Sequence, residues 1–541
     1  MWLSAAPLCL VYVIVLCVPG AMIALAAGQR GWVMAYAAAP VTYGVIGLAG
    51  PLLPLLGLRW SALTFLVAAL VLAGLIYGVR RLFKRAGVEP ETPRWDRSRH
   101  LALAAAIALA TVVGIVATYR ASNGFTAIPQ WWDAGFHAEA IRFIADTGNS
   151  APSAMKAIVA PAATSYFYPT GYHVLDATVF SLGHWSVPQV LNASNACQVG
   201  VFALSLAGLV KEVTGRPALA CATGILACAF TDFPYDVQSW GPLFPFAAAV
   251  AVLPALLALV VRAMTAPTVG RIAVAAFAIV GATAVHPSVT IAGAILACCY
   301  LVQRWFLARR VPMADLRTIG VLVLVTCVLG VFQLIGSLTA SSALVAGWPP
   351  FEPGGDALGQ LITGSRSMTL PQWWLLVLGA IGLMAIRRVA ALGWALVGAG
   401  LFVVLFVLSA YDTSPIVAEL TKAWWGDSWR LAAFATAGLV VLAAVGLTVV
   451  ADALGGVFRF RPGRPVAFGV VLVALLVLTR GLYVARNTAR LAQLFPDGPV
   501  VSHQDVAAMA KLATLAPAGS LVLNDPYDGS PWMFALDDVR P

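Results

Sequence analysis

The sequence predicts an all-α polytopic membrane protein with about 14 transmembrane helices. Of its 541 residues, 61% are hydrophobic and only 10% are charged. Apolar runs long enough for a helix to cross roughly 30 Å of hydrocarbon recur along most of the chain. The basic residues are unevenly divided among the loops between these runs, which is typical of repeated membrane crossing.

The predicted spans occupy residues 1–482, which we interpret as a single transmembrane module. The first run is too long for a signal peptide and lacks a positively charged start, so we expect it to be retained. The second run contains Pro51 and Pro54, which predict a kink, and the sixth and eighth runs are short. The runs lie near residues 3–27, 33–57, 61–79, 101–119, 188–210, 217–231, 241–261, 272–285, 288–303, 318–338, 372–386, 389–410, 431–450 and 466–482.

The charge distribution predicts how these helices are oriented. If the basic loop at 80–99 faces the cytoplasm, alternation places 21 of the 33 Lys and Arg residues inside, together with only 6 of the 23 Asp and Glu residues. Short cytoplasmic loops retain Lys and Arg, so we expect a plasma-membrane protein whose large loops and C-terminal segment are extracytoplasmic. The net charge of +10 then reflects topology, and nucleic acid is not an expected partner.

The spans themselves offer few groups for transport or metal chemistry. All eight cysteines lie in apolar runs, without the spacing of a disulfide framework or a metal site. The main polar residues in the spans are Asn192, Asn195, Gln198 and Gln333, and such residues commonly join helices. Ion-coupled transporters place ionisable residues within the membrane, so this class is disfavoured.

The first large external loop, 120–187, contains the strongest catalytic candidate. Apolar residues recur at helical spacing from about 133 to 147, which predicts an amphipathic interfacial helix that Gly148 ends. Asp133 begins this helix, and His137 lies four residues later on the same face. Asp133 is alternatively a helix cap, and His137 is alternatively a packed histidine.

Aromatic residues flank the predicted interfacial helix. Trp131 and Trp132 precede it, and Tyr168, Tyr172 and His173 follow it in a stretch that proline and glycine interrupt. Aromatic faces with flanking hydroxyl groups suit contact with a sugar or a lipid headgroup. An aromatic belt that anchors the protein at the bilayer surface is the alternative for both groups.

Two predicted helix boundaries on the outer side carry positive or titratable groups. Arg430 begins a span, where a cation is electrostatically misplaced unless an anion joins it. That anion is either a bound phosphate or Asp427, three residues earlier. His286 precedes a proline at another boundary, as a phosphate ligand or as a structural histidine. Lys422 is a weaker phosphate candidate.

These motifs resemble the GT-C superfamily of polytopic glycosyltransferases, which use polyprenyl-phosphate sugars, and look like an actinobacterial multi-pass branch of it. The resemblance covers about residues 1–482. It rests on four short motifs: Asp-x-x-x-His-x-x-x-Ile-Arg-x-Ile-x-x-x-Gly at 133–148, Tyr-Pro-x-Gly-Tyr-His at 168–173, His-Pro-Ser at 286–288 and Trp-Trp-Gly-Asp-x-Trp-Arg at 424–430. The chain departs from the family in placing its acidic loop after the fourth run rather than the first.

The resemblance implies transfer of a sugar from a polyprenyl-phosphate donor to a cell-envelope glycan or lipid acceptor at the extracytoplasmic face. Asp133 is then the general base for the acceptor hydroxyl. Ala134 stands where many members have a second acid, which puts a two-carboxylate metal site in doubt. A divalent cation is therefore left open, and no other cofactor is expected. The implied substrate-binding residues are His137, Tyr168, Tyr172, His173, His286, Lys422, Asp427 and Arg430.

Asp232 and Asp236 are further acids in a short external loop. They are candidates for a sugar or a cation, with solvated loop acids as the simpler expectation. The alternative function for the whole chain is a non-enzymatic flippase or transporter of lipid-linked glycans. Such a protein is expected to have several charges facing a hydrophilic cavity within the bilayer.

Residues 483–541 predict an extracytoplasmic soluble segment. An amphipathic helix near 500–512, a short strand at 521–523 and a turn at 524–530 suggest the start of a small α/β domain. About 57 residues are few for a stable core, so we expect this domain to be incomplete.

Overall fold

A computed structural model describes residues 2–83, 95–340, 347–457, 463–517, 519–525 and 528–540. Across these ranges the protein is helical, and the only β-type pairing is an isolated bridge. The described part of the protein is therefore all-α, as the sequence predicts. Capping boxes at Ser61 and Ser186 begin two of the long helices, because their hydroxyl groups accept hydrogen bonds from amides of the first turn.

The N-terminal part of the chain forms thirteen α-helices within the described ranges. They are α1 (Trp2–Ala26), α2 (Gly31–Leu55), α3 (Ala62–Leu82), α4 (Arg97–Ala121), α5 (Trp132–Thr147), α6 (Lys156–Val159), α7 (Gly171–Ser181), α8 (Val187–Thr214), α9 (Pro217–Leu226), α10 (Val237–Ser239), α11 (Phe244–Thr265), α12 (Val269–Val285) and α13 (Pro287–Ala308).

The C-terminal part forms eleven more α-helices within the described ranges. They are α14 (Met313–Leu329), α15 (Val331–Ala340), α16 (Gly354–Thr363), α17 (Trp373–Met384), α18 (Gly393–Tyr411), α19 (Pro415–Thr421), α20 (Ser428–Val457), α21 (Gly463–Leu478), α22 (Val484–Ala492), α23 (His503–Leu515) and α24 (Trp532–Asp537).

Ten helices of the described chain are long and apolar enough to cross a membrane when Pro217–Ser239, which contains α9, a kinked segment and α10, is counted as one. The number is eleven if the bent pair α14–α15 is also one span. The predicted number of about 14 is therefore too high. Three of the predicted runs form shorter apolar helices, at Val269–Val285, Trp373–Met384 and Pro465–Leu478. At 1.5 Å per residue, even the 17 residues of α12 extend only about 25 Å, less than the hydrocarbon thickness.

The spans divide into a buried centre and an exposed rim. The most apolar stretch of α11 is entirely buried, whereas only 11% of the equivalent stretch of α3 is buried. The outer face of α3 exposes large side chains such as Leu63 and Leu75. In water so much exposed apolar surface would cause association, so this arrangement is that of a bundle whose rim faces lipid.

Loops that the sequence places on the cytoplasmic side contact one another at one end of the bundle, which we call the basic end (27–32, 95–100, 211–216, 262–271, 304–315 and 385–392). Arg262 donates hydrogen bonds to Glu212 at 2.9 Å and to Gln29 at 3.2 Å. Arg216 donates to the backbone carbonyl of Arg388 at 2.9 Å. These contacts join loops from distant parts of the chain.

The C-terminal segment packs against the loop that contains α5. Gln130 donates to the carbonyl of Val501 at 3.0 Å, and Arg142 on α5 lies 3.4 Å from the carboxylate of Asp538. The predicted α/β domain is not formed by the described residues, because the stretch 521–523 makes only an isolated bridge, from Leu521 to Arg540. With no neighbouring strand beside it, this stretch cannot begin a sheet. The predicted turn at 524–530 lies partly outside the described residues.

Candidate functional site

The helix that carries Asp133 begins at Trp132 and ends at Thr147, followed by Gly148 in the left-handed conformation (φ +66°). Trp131 is the capping position, so Asp133 lies in the first turn and is not the helix cap. The amide of Asp133 donates a 2.8 Å hydrogen bond to the carbonyl of Gly241, which fixes the start of α5 against the loop before α11.

Asp133 is half-buried, and its carboxylate interacts electrostatically with Arg430 and Asp427. Burial is the main influence and raises the pKa of Asp133 to about 6, because a carboxylate loses hydration there. Arg430 opposes this increase and Asp427 adds to it. At neutral pH such a group is mostly ionised yet basic enough to accept a proton.

Arg430 lies in the first turn of α20 between an acid and a histidine. Its Nε is 3.2 Å from Oδ2 of Asp427, and its Nη1 is 3.1 Å from Nε2 of His286. The guanidinium carbon lies 4.4 Å from the ring centre of Trp425 and 5.4 Å from that of Phe246. The local Asp427–Arg430 ion pair therefore exists, and two aromatic faces hold the arginine in place.

His286 occupies the corner between α12 and α13, and its Nδ1 lies 2.8 Å from Oγ of Ser288. Burial and the neighbouring Arg430 hold the pKa of His286 well below its usual value, so the ring is neutral. A neutral ring that accepts from Arg430 at Nε2 carries its proton on Nδ1 and donates to Ser288. The structure thus places His286 behind Arg430, where it positions the guanidinium.

Tyr168 is half-buried and interacts electrostatically with Asp133 and Arg430; burial and Asp133 raise its pKa. Its ring packs edge-on against Phe136, with centroids 4.6 Å apart. Tyr168 therefore belongs to the same cluster as the two charged groups, although about 35 residues separate it from Asp133 along the chain.

His137, Tyr172 and His173 lie deeper than Tyr168 and are almost completely buried. Nδ1 of His137 is 2.9 Å from Nε2 of His173, and burial lowers the pKa of His137 to about 3. Tyr172 accepts a hydrogen bond from Ser194 on α8 at 3.2 Å. These three residues join α5, α7 and α8 beneath the site, and substrate contact by them stays a prediction.

Lys422 does not join the cluster. Its side chain is 46% exposed and pairs with Glu419 one turn earlier. The backbone between them and Arg430 turns at Trp425, which has a positive φ of 59°. Proximity in sequence therefore did not bring this lysine to the site.

A set of residues that the motifs did not reveal lies beside Asp133. We call the four tryptophans Trp132, Trp240, Trp348 and Trp429 the aromatic cage; neighbouring rings within it are 5.2–5.8 Å apart. The guanidinium carbon of Arg366 lies 3.6 Å from the ring centre of Trp429. Burial lowers the pKa of Arg366 to about 10, so it remains charged at neutral pH.

Asp232 and Asp236 are buried, with 2% and 1% of their surfaces exposed, and are not the solvated loop acids that the sequence suggested. They lie in a kinked segment, Thr231–Asp236, that packs into the bundle. Asp236 accepts hydrogen bonds from Arg490 at 2.6 Å and from Ser367 at 2.5 Å. No local pattern in the sequence marked Arg366 or Arg490 as partners of buried acids, because the pairing depends on segments distant in the chain.

Within the described ranges, no group of three or more His, Cys, Asp or Glu residues could hold a metal ion. The arrangement instead combines one half-buried carboxylate of raised pKa, one arginine held by an acid and a histidine, and a neighbouring cage of tryptophans. Such a set can accept a proton, bind an anionic group and hold a partly apolar ring.

Comparison with known proteins identifies a family whose function is unknown. Residues 13–541 match the model of a family of unknown function, DUF6541. No curated protein matches the chain.

Proposed function

The chain belongs to the family of unknown function DUF6541, and we propose that it is a membrane glycosyltransferase of the GT-C type. It transfers a sugar from a polyprenyl-phosphate donor to a cell-envelope glycan or lipid acceptor at the extracytoplasmic face of the plasma membrane. The observation that carries this proposal is the convergence of Asp133, Arg430 and Tyr168 from three separate parts of the chain.

Asp133 acts as the general base. It takes the proton from an acceptor hydroxyl while that oxygen forms a bond to the anomeric carbon of the donor sugar. The bond between the anomeric carbon and the phosphate oxygen breaks, and its electron pair stays on the lipid phosphate. The proton ends on Asp133, whose pKa of about 6 allows its later release to water at neutral pH.

Arg430 binds the phosphate on which negative charge develops. Among the described residues, Asp427 and His286 bond to its Nε and Nη1, and its Nη2 has no hydrogen-bond partner. Asp427 and His286 hold the guanidinium in one orientation, so the remaining donor is fixed before substrate binds. A phosphate at this position would also place the negative charge near the positive end of α20.

A flippase or transporter of lipid-linked glycans is the second candidate, because a cavity of about 580 Å³ opens at the basic end. Glu212, Gln303 and Arg304 are among its lining residues. Deeper in the bundle, a cavity of about 50 Å³ beside Phe434 is lined by apolar residues, glycine and proline, and offers no polar path for a glycan headgroup. The apolar lining of this second cavity therefore gives no support to a glycan path at that position.

The test is sugar transfer by the full chain in proteoliposomes, with a panel of labelled polyprenyl-phosphate hexoses and pentoses and a cell-envelope extract as acceptor. Asp133→Asn keeps the size of the side chain and removes the proton acceptor, so we expect transfer to fall about 100-fold or more. The matched control is Asp146→Asn on the same helix, whose carboxylate pairs with Arg142 at 2.8 Å. The control should transfer normally.

Normal transfer by Asp133→Asn would reduce Asp133 to a structural residue and overturn the mechanism. If the wild type moves lipid-linked glycan across vesicles without forming a glycosidic bond, and Asp133→Asn does so equally well, the flippase is correct. No transfer from any donor of the panel by the wild type would overturn the donor class.

A further inference from the structure

The aromatic cage opens at the same end of the molecule as Asp133. Trp132 and Trp348 are 50% and 41% exposed, whereas Trp240 and Trp429 lie deeper and contact Arg366 or each other. The rings of Trp132 and Trp348 are tilted against each other at 37°, with their centroids 5.8 Å apart, and together they form a platform with an exposed aromatic surface. An anchor in the bilayer interface would not need the charged residues that lie behind this platform.

Several polar atoms behind the platform are buried without a partner among the described residues. Asp232 is 2% exposed, and neither of its carboxylate oxygens has a hydrogen bond. Nε and Nη1 of Arg366 are likewise unpartnered, and only its Nη2 donates, to Ser428. Nε1 of Trp240 is a third unpartnered donor. Buried polar groups are normally satisfied, so their concentration here points to a missing ligand with both donors and acceptors.

The charges around Arg366 narrow the class of ligand. Four carboxylates act on this guanidinium, from Asp236, Asp427, Asp232 and Glu352. These four carboxylates would repel an anionic ligand, and Arg366 would repel a cationic one. A neutral ligand that presents hydroxyl groups can donate to Asp232 and accept from Arg366. Aromatic rings beside it require that one face of the ligand be apolar.

We propose that the aromatic cage, with Arg366 and Asp232, is the subsite for a sugar ring of the acceptor. A pyranose has apolar C–H faces that suit tryptophan rings, and its hydroxyl groups both donate and accept hydrogen bonds. This inference rests on the proposed function and narrows it, because it makes the acceptor a glycan rather than a simple lipid.

The position of the cage relative to the base supports an acceptor subsite. Trp132 and Asp133 are neighbours in the first turn of α5, and the amide of Asp133 bonds to Gly241, the residue after Trp240. Asp427 interacts electrostatically with both Asp133 and Arg366. A sugar held in the cage therefore lies beside the carboxylate that would deprotonate one of its hydroxyl groups.

The test uses the full chain in nanodiscs and methyl glycosides of glucose, galactose and mannose as probes. Saturation-transfer NMR should detect binding of at least one probe in the millimolar range. Trp348→Ala should weaken that binding roughly threefold to tenfold, as expected for the loss of one aromatic contact. The matched control is Trp373→Ala, since Trp373 is 58% exposed on α17 and outside the cage. Asp232→Asn, which keeps one acceptor oxygen, should also weaken binding.

The proposal is overturned if no probe binds, if Trp348→Ala and Trp373→Ala bind equally, or if inorganic phosphate competes with the sugar for the site. Sugar binding does not require turnover, so the result of the binding experiment is independent of whether Asp133 is the general base. Asp133→Asn should still bind the sugar, and loss of transfer without loss of sugar binding would support both proposals. If the protein binds sugar but transfers none, the sugar subsite is supported and the proposed glycosyltransferase activity is wrong.

Discussion

Replacing Asp133 by Asn should make the folded protein more stable at alkaline pH while it removes turnover. A carboxylate whose pKa is about 6, against an ordinary value of 3.8, is held in an environment that disfavours its charge. The difference corresponds to about 3 kcal/mol when the group is ionised. Asp133 is half-buried, and solvent screening reduces the expected effect to about 2 kcal/mol.

The sign of the effect follows from the direction of the pKa shift. Below pH 4 the carboxyl is protonated in the folded and unfolded states, and it contributes no difference. Between pH 4 and 6 the unfolded chain ionises first, so the wild type loses stability as the pH rises through this window. Above pH 6 the full cost is present. Asp133→Asn has no ionisable group at this position, so its stability should not fall for this reason as the pH rises.

The assay is unfolding of wild type and variant in detergent at pH 4.5 and pH 8, followed by intrinsic fluorescence. Comparing the two proteins cancels other titrating groups such as Glu139, whose pKa burial raises to about 8. Asp146→Asn is again the control and should gain no stability, since its carboxylate is ion-paired. If the gain of Asp133→Asn is the same at both pH values, the carboxylate is not destabilised and is not a poised base.

The pH profile of turnover should show an acid limb near pH 6, and Asp427→Asn should move it to lower pH because a negative neighbour is removed; an unmoved limb would disprove this coupling. Arg430→Ala should weaken polyprenyl-phosphate binding roughly tenfold to a hundredfold, with partial recovery in Arg430→Lys. Lys422→Ala should leave that affinity unchanged, and equal losses in both alanine variants would place the phosphate elsewhere. In a cysteine-free background, an impermeant thiol reagent applied to intact cells should label Ala162→Cys and not Arg310→Cys, both of which are exposed; the opposite labelling would reverse the orientation.

Hydropathy and charge along the chain were sufficient to determine that the protein is a multi-pass, helical membrane protein. Both are local properties, because a helix satisfies its own backbone hydrogen bonds and needs only a long enough apolar run to cross. The end of α5 is also determined locally, because Gly148 adopts a positive φ without strain and thereby ends the helix. The predicted number of spans was too high, because apolar composition does not reveal which runs form helices too short to cross, such as α12 and α17.

Only the tertiary structure decided which polar residues meet. Asp133, His286 and Arg430 lie in three different parts of the sequence, yet helix packing brings them to one end of the bundle, while the nearby Lys422 stays outside. No motif pointed to Arg366 or to a buried Asp232, since a charged residue in a polar loop resembles any solvated one until a neighbour covers it. Burial and pairing depend on distant segments, and for this reason they are absent from any local pattern in the sequence.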